Sequence, residues 1–122
     1  MLPQAERLKK NSEFSVVYNI RKSVANSLLI LYVDKKKESL EIPTKVGFVV
    51  GKKINKKAVK RNRIKRLLRE AYKNIRKTSK ISIQWESLIF IARPKILEVN
   101  YKEVYDAVID CLKKASKKYG CL

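Results

Sequence analysis

The sequence contains no histidine, two cysteines, three glycines, three prolines and one tryptophan. Without histidine the chain lacks the commonest general base and the commonest metal ligand, so histidine-based catalysis is excluded. Cys111 and Cys121 have neither the paired spacing of a zinc site nor the density of a secreted disulfide scaffold, and a reducing cytoplasm suits them. With so little glycine and proline there is no flexible linker, and no internal repeat or low-complexity segment invites a domain cut. Apolar runs are short. None approaches membrane length, and Pro3 and Glu6 fall where a signal peptide needs an unbroken apolar stretch. These absences lead us to expect a soluble, cytoplasmic protein. Acid is scarce too: 11 Asp and Glu face 30 Lys and Arg, a formal net charge of +19. That imbalance calls for a polyanion, and nucleic acid comes first.

What remains is enough to fold. A chain of 122 residues is one domain's worth, able to bury roughly two-thirds of its unfolded surface. Its apolar residues, 45% of the total, gather in runs that charged tails lack. After a basic arm over residues 1–10, Asn11 or Ser12 is placed to cap a short helix ending near Arg21, with Phe14, Val17 and Tyr18 at i, i+3 and i+4. Residues 28–33 and 45–50 read as two neighbouring antiparallel strands. Asn55 is placed to cap a long helix reaching about Lys77, with Thr78-Ser79 as its exit and Ile81, Ile83 and Trp85 alternating beyond it. Residues 88–92 read as a strand buried on both faces and stopped by Pro94. A last helix starts near Asn100 and carries Tyr101, Val104, Tyr105, Val108, Leu112 and Ala115 as its apolar stripe. The order α-β-β-α-β-α predicts a single-domain α+β fold, a two-layer sandwich in which the long helix crosses between two strands.

Charge is concentrated on that crossing helix. Residues 52–77 hold thirteen Lys or Arg and one acid, Glu70, which makes +12 of the net +19. The second half is amphipathic, with Ile64, Leu67, Leu68, Ala71, Tyr72 and Ile75 within about 70° of one direction. Extended backward, the same wheel puts Lys57, Lys60 and Arg61 on the stripe and Val59 opposite, so the first two turns have no apolar face. Pairs such as Lys52/Lys56, Lys56/Lys60 and Lys65/Arg69 repel across one turn, and a phosphate backbone turns that repulsion into attraction. A helix N-terminus near residues 52–57 adds free N–H donors for the same anion.

Other chemistries fail on spacing. Gly47-Phe48-Val49-Val50-Gly51-Lys52-Lys53 has three residues between its glycines and no Ser or Thr after the Lys, so it is not a nucleotide-binding phosphate loop. A basic zipper needs leucine heptads downstream, and residues 78–84 leave the helical pattern. A membrane-surface role lacks a lipid-facing Trp or Phe on the basic helix. A structural, ribosomal-type RNA-binding protein with no processing role shares the charge and fold class and stands as the alternative.

The run Lys52-Lys53-Ile54-Asn55-Lys56-Lys57-Ala58-Val59-Lys60-Arg61-Asn62-Arg63-Ile64-Lys65-Arg66-Leu67-Leu68-Arg69-Glu70-Ala71 closely resembles the signature of the bacterial ribonuclease P protein subunit, centred on its Arg-Asn-Arg motif. Leu8-Lys9-Lys10-Asn11, Ser23-Val24-Ala25-Asn26, Lys45-Val46-Gly47 and Ile89-Phe90-Ile91-Ala92-Arg93 resemble the same family in the same order, so the likeness spans nearly the whole chain. The departures are Lys56-Lys57 in place of small residues and a long 80–85 segment.

The resemblance implies a sheet with a left-handed βαβ crossover and a basic protein that joins a catalytic RNA in removing the 5′ leader of precursor tRNA. The RNA does the chemistry with magnesium, and neither a catalytic residue of the protein nor an obligate protein partner is implied. By resemblance, Lys52, Lys53, Lys56, Arg63 and Arg66 contact the catalytic RNA. Phe14, Tyr18, Ile30, Tyr32, Arg61, Asn62, Lys65 and Arg69 form a cleft for the leader. Taken alone, Phe14, Tyr18 and Tyr32 favour plain core packing over a cleft, and Asn62 suits either a hydrated divalent ion or a water-bridged surface amide.

Overall fold

The computed structural model describes residues 6–39, 41–78 and 83–120. Its elements in chain order are α1 (Asn11–Ile20), β1 (Lys22–Ala25), β2 (Leu29–Val33), β3 (Lys45–Val49), α2 (Ala58–Thr78), β4 (Ser87–Ala92), a 3₁₀ turn (Pro94–Glu98) and α3 (Tyr101–Tyr119). The four strands form one sheet in the order β1-β2-β4-β3. β1 with β2 and β2 with β4 are antiparallel, while β3 lies parallel to β4. The parallel pair makes β3-α2-β4 the crossover unit of an α+β domain.

Alternation along the strands sends side chains to two cores. Leu29, Leu31, Val33, Leu88 and Phe90 meet Ile64, Leu68, Ala71, Tyr72 and Ile75 of α2 and Val104, Val108, Cys111, Leu112 and Ala115 of α3. The opposite face sends Tyr32, Val49, Ile89 and Ile91 against Leu8, Phe14, Val17 and Tyr18. There α1 lies alone, touching β2 and β4, so much of this second face stays half-buried.

Several local expectations change. The strands at 28–33 and 45–50 are not neighbours, because β4 inserts between them and pairs with both. Ser23 to Ala25, expected to precede the first strand, is itself in β1. Three residues, 26–28, join β1 to β2, with Asn26 Oδ1 accepting from the N–H groups of Leu28 and Leu29 at 3.0 and 2.9 Å. The N-cap of α1 is Lys10, not Asn11 or Ser12. The carboxylate of Glu13 accepts the Lys10 N–H at 3.1 Å, so the acid in the first turn does the capping. α3 starts beside Asn100 as expected, and Asn100 caps it, accepting from Glu103 N–H at 3.0 Å. Of the alternating segment, Ile81 and the exit residue Ser79 lie outside the described residues, and Trp85 is buried in the larger core.

α2 begins at Ala58. Residues 52–57 form turns ahead of it, so Lys52/Lys56, Lys53/Lys57 and Lys56/Lys60 are not neighbours on one helix face. Asn55 acts in this loop, its Oδ1 accepting from Lys57 N–H at 2.8 Å. The helix opens at Ala58 with a first turn that buries nothing, and its buried positions begin only at Ile64.

Both outer strands are dressed. On β1, the Tyr119 hydroxyl accepts from the N–H of Ser23 and donates to its carbonyl, each at 3.2 Å, and Lys114 Nζ donates to the Ala25 carbonyl at 3.0 Å. On β3, residues 7 and 46 form a parallel bridge, with Leu8 N–H donating to the Val46 carbonyl at 3.1 Å.

Candidate nucleic-acid interface

Three aromatic rings line the half-covered face of the sheet. Phe14 and Tyr18, one helical turn apart on α1, have ring centroids 6.4 Å apart, and Tyr18 meets Tyr32 of β2 edge-on at 5.0 Å. All three are half-buried. Their inner edges pack on Leu8, Val17 and Ile89, so core and cleft share the same rings. Ile30, two residues before Tyr32 and on the same face, pairs in register with Ile91. Burial, with Tyr32 beside it, pushes the Tyr18 phenol above its ordinary value, which keeps it a hydrogen-bond donor at neutral pH.

The ring of Phe14 lies directly over Gly47 in β3. A Cβ there would sit 2.6 Å from two of the ring carbons. The missing side chain lets α1 come down onto the sheet, where Phe14 faces one flank of α2. The result is a hollow of about 130 Å³ walled by Arg7, Leu8, Phe14, Val46, Gly47, Phe48, Lys65 and Arg69.

The other expected cleft residues fall differently. Arg61 turns back toward the loop, its Nη1 donating to the carbonyls of Asn55 at 3.0 Å and Lys56 at 2.8 Å. It therefore pins the basic loop to the start of α2. Asn62 is exposed on the cleft flank of the helix. Lys52, Lys53 and Lys56 are exposed on the loop, and Arg63 and Arg66 are exposed on α2 away from its buried stripe. A single continuous surface thus joins the loop, the outer face of α2 and the cleft.

Counter-charge is nearly absent from it. Among the described residues only Arg76 of the thirteen cations in 52–77 meets a carboxylate, that of Glu6. The residue missed by sequence reasoning is Arg7, which reaches the hollow only because its backbone pairs with β3. Gly47 was quoted as part of a motif, and an isolated glycine inside a strand is the available signal for a close approach.

An α+β fold with an unpaired basic helix beside a row of half-exposed aromatic rings defines a nucleic-acid-binding protein, since cations hold phosphates and rings hold bases. Comparisons narrow the class. The ribonuclease P family model matches residues 2–116. Ribonuclease P protein components from Alkaliphilus oremlandii and Clostridium botulinum are each 41% identical, over 108 and 110 residues, covering 88% and 89% of this chain and 89% and 93% of theirs. The RNase P protein of Staphylococcus aureus superposes with a TM-score of 0.75 at 33% identity, covering 92% of this chain and 96% of its own. That of Thermotoga maritima gives 0.72 at 25%, covering 89% and 96%. The chain belongs to the ribonuclease P protein family, and its role is that of the protein component in this tRNA-processing enzyme.

Proposed function

We propose that the protein holds the catalytic RNA of ribonuclease P with Lys52, Lys53, Lys56, Arg63 and Arg66, and the unpaired 5′ leader of precursor tRNA in the aromatic cleft. The observation that carries this reading is the meeting of Phe14 with Lys65 and Arg69 around one hollow, beside Tyr18 and Tyr32, with no carboxylate lining it. Bases stack on rings whatever their identity while cations follow the backbone, so leaders of any sequence are accepted. Arg61 shapes the loop that meets the catalytic RNA, and Asn62 offers a neutral amide at the rim. Bond cleavage and its magnesium belong to the RNA. The proposed working place is the cytoplasm, a reading supported by the buried free thiol at Cys111, which suits a reducing compartment.

Reconstitution tests this directly. With a bacterial ribonuclease P RNA at magnesium levels where that RNA is sluggish alone, added protein accelerates leader removal. Replacing Phe14 and Tyr32 together by Ala weakens leader-bearing precursor by at least about tenfold, given roughly 1–3 kcal/mol per stacked base, and spares mature tRNA. No acceleration, or equal losses for both tRNAs, overturns the reading.

A further inference from the structure

Arg7 stands outside both groups of residues assigned above, yet it forms a wall of the hollow at the Phe14 end of the aromatic row. Its position is held by the backbone: it bridges Val46 of β3, and Leu8 beside it donates to the Val46 carbonyl at 3.1 Å. Its Nε is buried and meets no acceptor. Lys65 and Arg69 line the same hollow, and the remaining walls are Leu8, Phe14, Val46, Gly47 and Phe48. Among the described residues no carboxylate pairs with any of the three cations.

Three like charges on a partly enclosed space repel, and a buried N–H without an acceptor costs free energy. An anion with several oxygens seated among them turns the repulsion into attraction. A guanidinium presents parallel donors matched to two phosphate oxygens, and an ammonium adds a compact charge.

We infer that Arg7, Lys65 and Arg69 form a phosphate subsite that takes a phosphodiester of the leader strand just beyond the base stacked on Phe14. The inference rests on the leader-cleft reading and extends it by one phosphate. Tyr32 contacts Tyr18, Tyr18 neighbours Phe14, and Phe14 in turn forms a wall of the hollow together with Leu8 and Gly47. A single strand laid on the rings delivers a phosphate there, whereas the stacked helices of a folded RNA meet the exposed loop and the outer face of α2.

The test is a series of precursor tRNAs with leaders shortened one nucleotide at a time, bound to holoenzymes carrying wild-type protein, Arg7→Gln or Arg7→Lys. Affinity of the wild type rises with leader length until the subsite is filled. Arg7→Gln loses about tenfold for long leaders, as for a lost charge-assisted hydrogen bond, and nothing for leaders too short to reach. Arg7→Lys falls between them. Lys113→Gln, an exposed charge on α3, leaves the curve unchanged. A curve for Arg7→Gln that matches wild type overturns the subsite alone. Equal loss at every length, or weakened binding of the catalytic RNA by itself, assigns the phosphate to that RNA and also overturns it. A wild-type affinity indifferent to leader length overturns the cleft reading beneath it. Thermal unfolding of both variants accompanies the series, and Arg7→Lys keeps the comparison decisive if Arg7→Gln unfolds.

Discussion

Phe14 and Gly47 occupy one another's space, and neither has the same meaning alone. The ring fills the volume a β-carbon would take, 2.6 Å from where that carbon would be. Gly47→Ala therefore displaces Phe14, costing about 1–3 kcal/mol as overpacking, and loosens leader-bearing precursor while leaving mature tRNA untouched. Urea unfolding with paired affinity measurements checks both; an unchanged midpoint sinks the contact. At this scale legibility was uneven. Phe14, Lys65 and Arg69, which the resemblance groups together, line one hollow. The wheel puts Arg61 on the stripe and the resemblance puts it in the cleft, but neither can show a side chain folding back onto its own loop. Arg7 was invisible because its position depends on pairing with a strand 39 residues away.

Elements with strong periodicity were legible: the stripes of α3 and of α2 from Ile64 onward, and β4 with its run of buried positions. β1 was missed because Lys22-Ser23-Val24-Ala25 has no apolar run, and its pairing depends on Asn26. That amide closes the hairpin with its oxygen, and its nitrogen donates to the Ala107 carbonyl and to Asp110 Oδ2, each at 3.0 Å. One side chain thus ties turn to helix. Asn26→Ala is expected to cost about 2 kcal/mol in denaturant unfolding. Asp110, bonded first by Asn26 and next by Lys114, has its carboxyl held below the ordinary 3.8. A lowered folded-state value stabilises fully above that ordinary value, and the gain drains away as pH falls through the lowered one. Stability curves for wild type and Asp110→Asn should stand apart near neutrality and converge below pH 3.8. Parallel curves throughout would remove the carboxylate from this account.

For the molecule as a whole, the +19 charge was plain from composition and its focus on residues 52–77 from a count. What no count supplies is orientation. The larger core draws in the apolar side of α2, which leaves Arg63 and Arg66 exposed and turns Lys65 and Arg69 to the cleft. Affinity for the catalytic RNA should fall roughly 10³-fold between 50 and 200 mM salt if six or more phosphates are engaged. A nearly flat titration would contradict the electrostatic basis of binding.

The dressing of the outer strands bears on the protein before its RNA arrives. Tyr119 and Lys114 have already claimed the N–H and carbonyl of Ser23 and the carbonyl of Ala25 on the outer edge of β1. A surplus of newly made copies thus finds little of that ribbon open to zippering with a sister chain, which guards the unassembled protein against knitting into fibres.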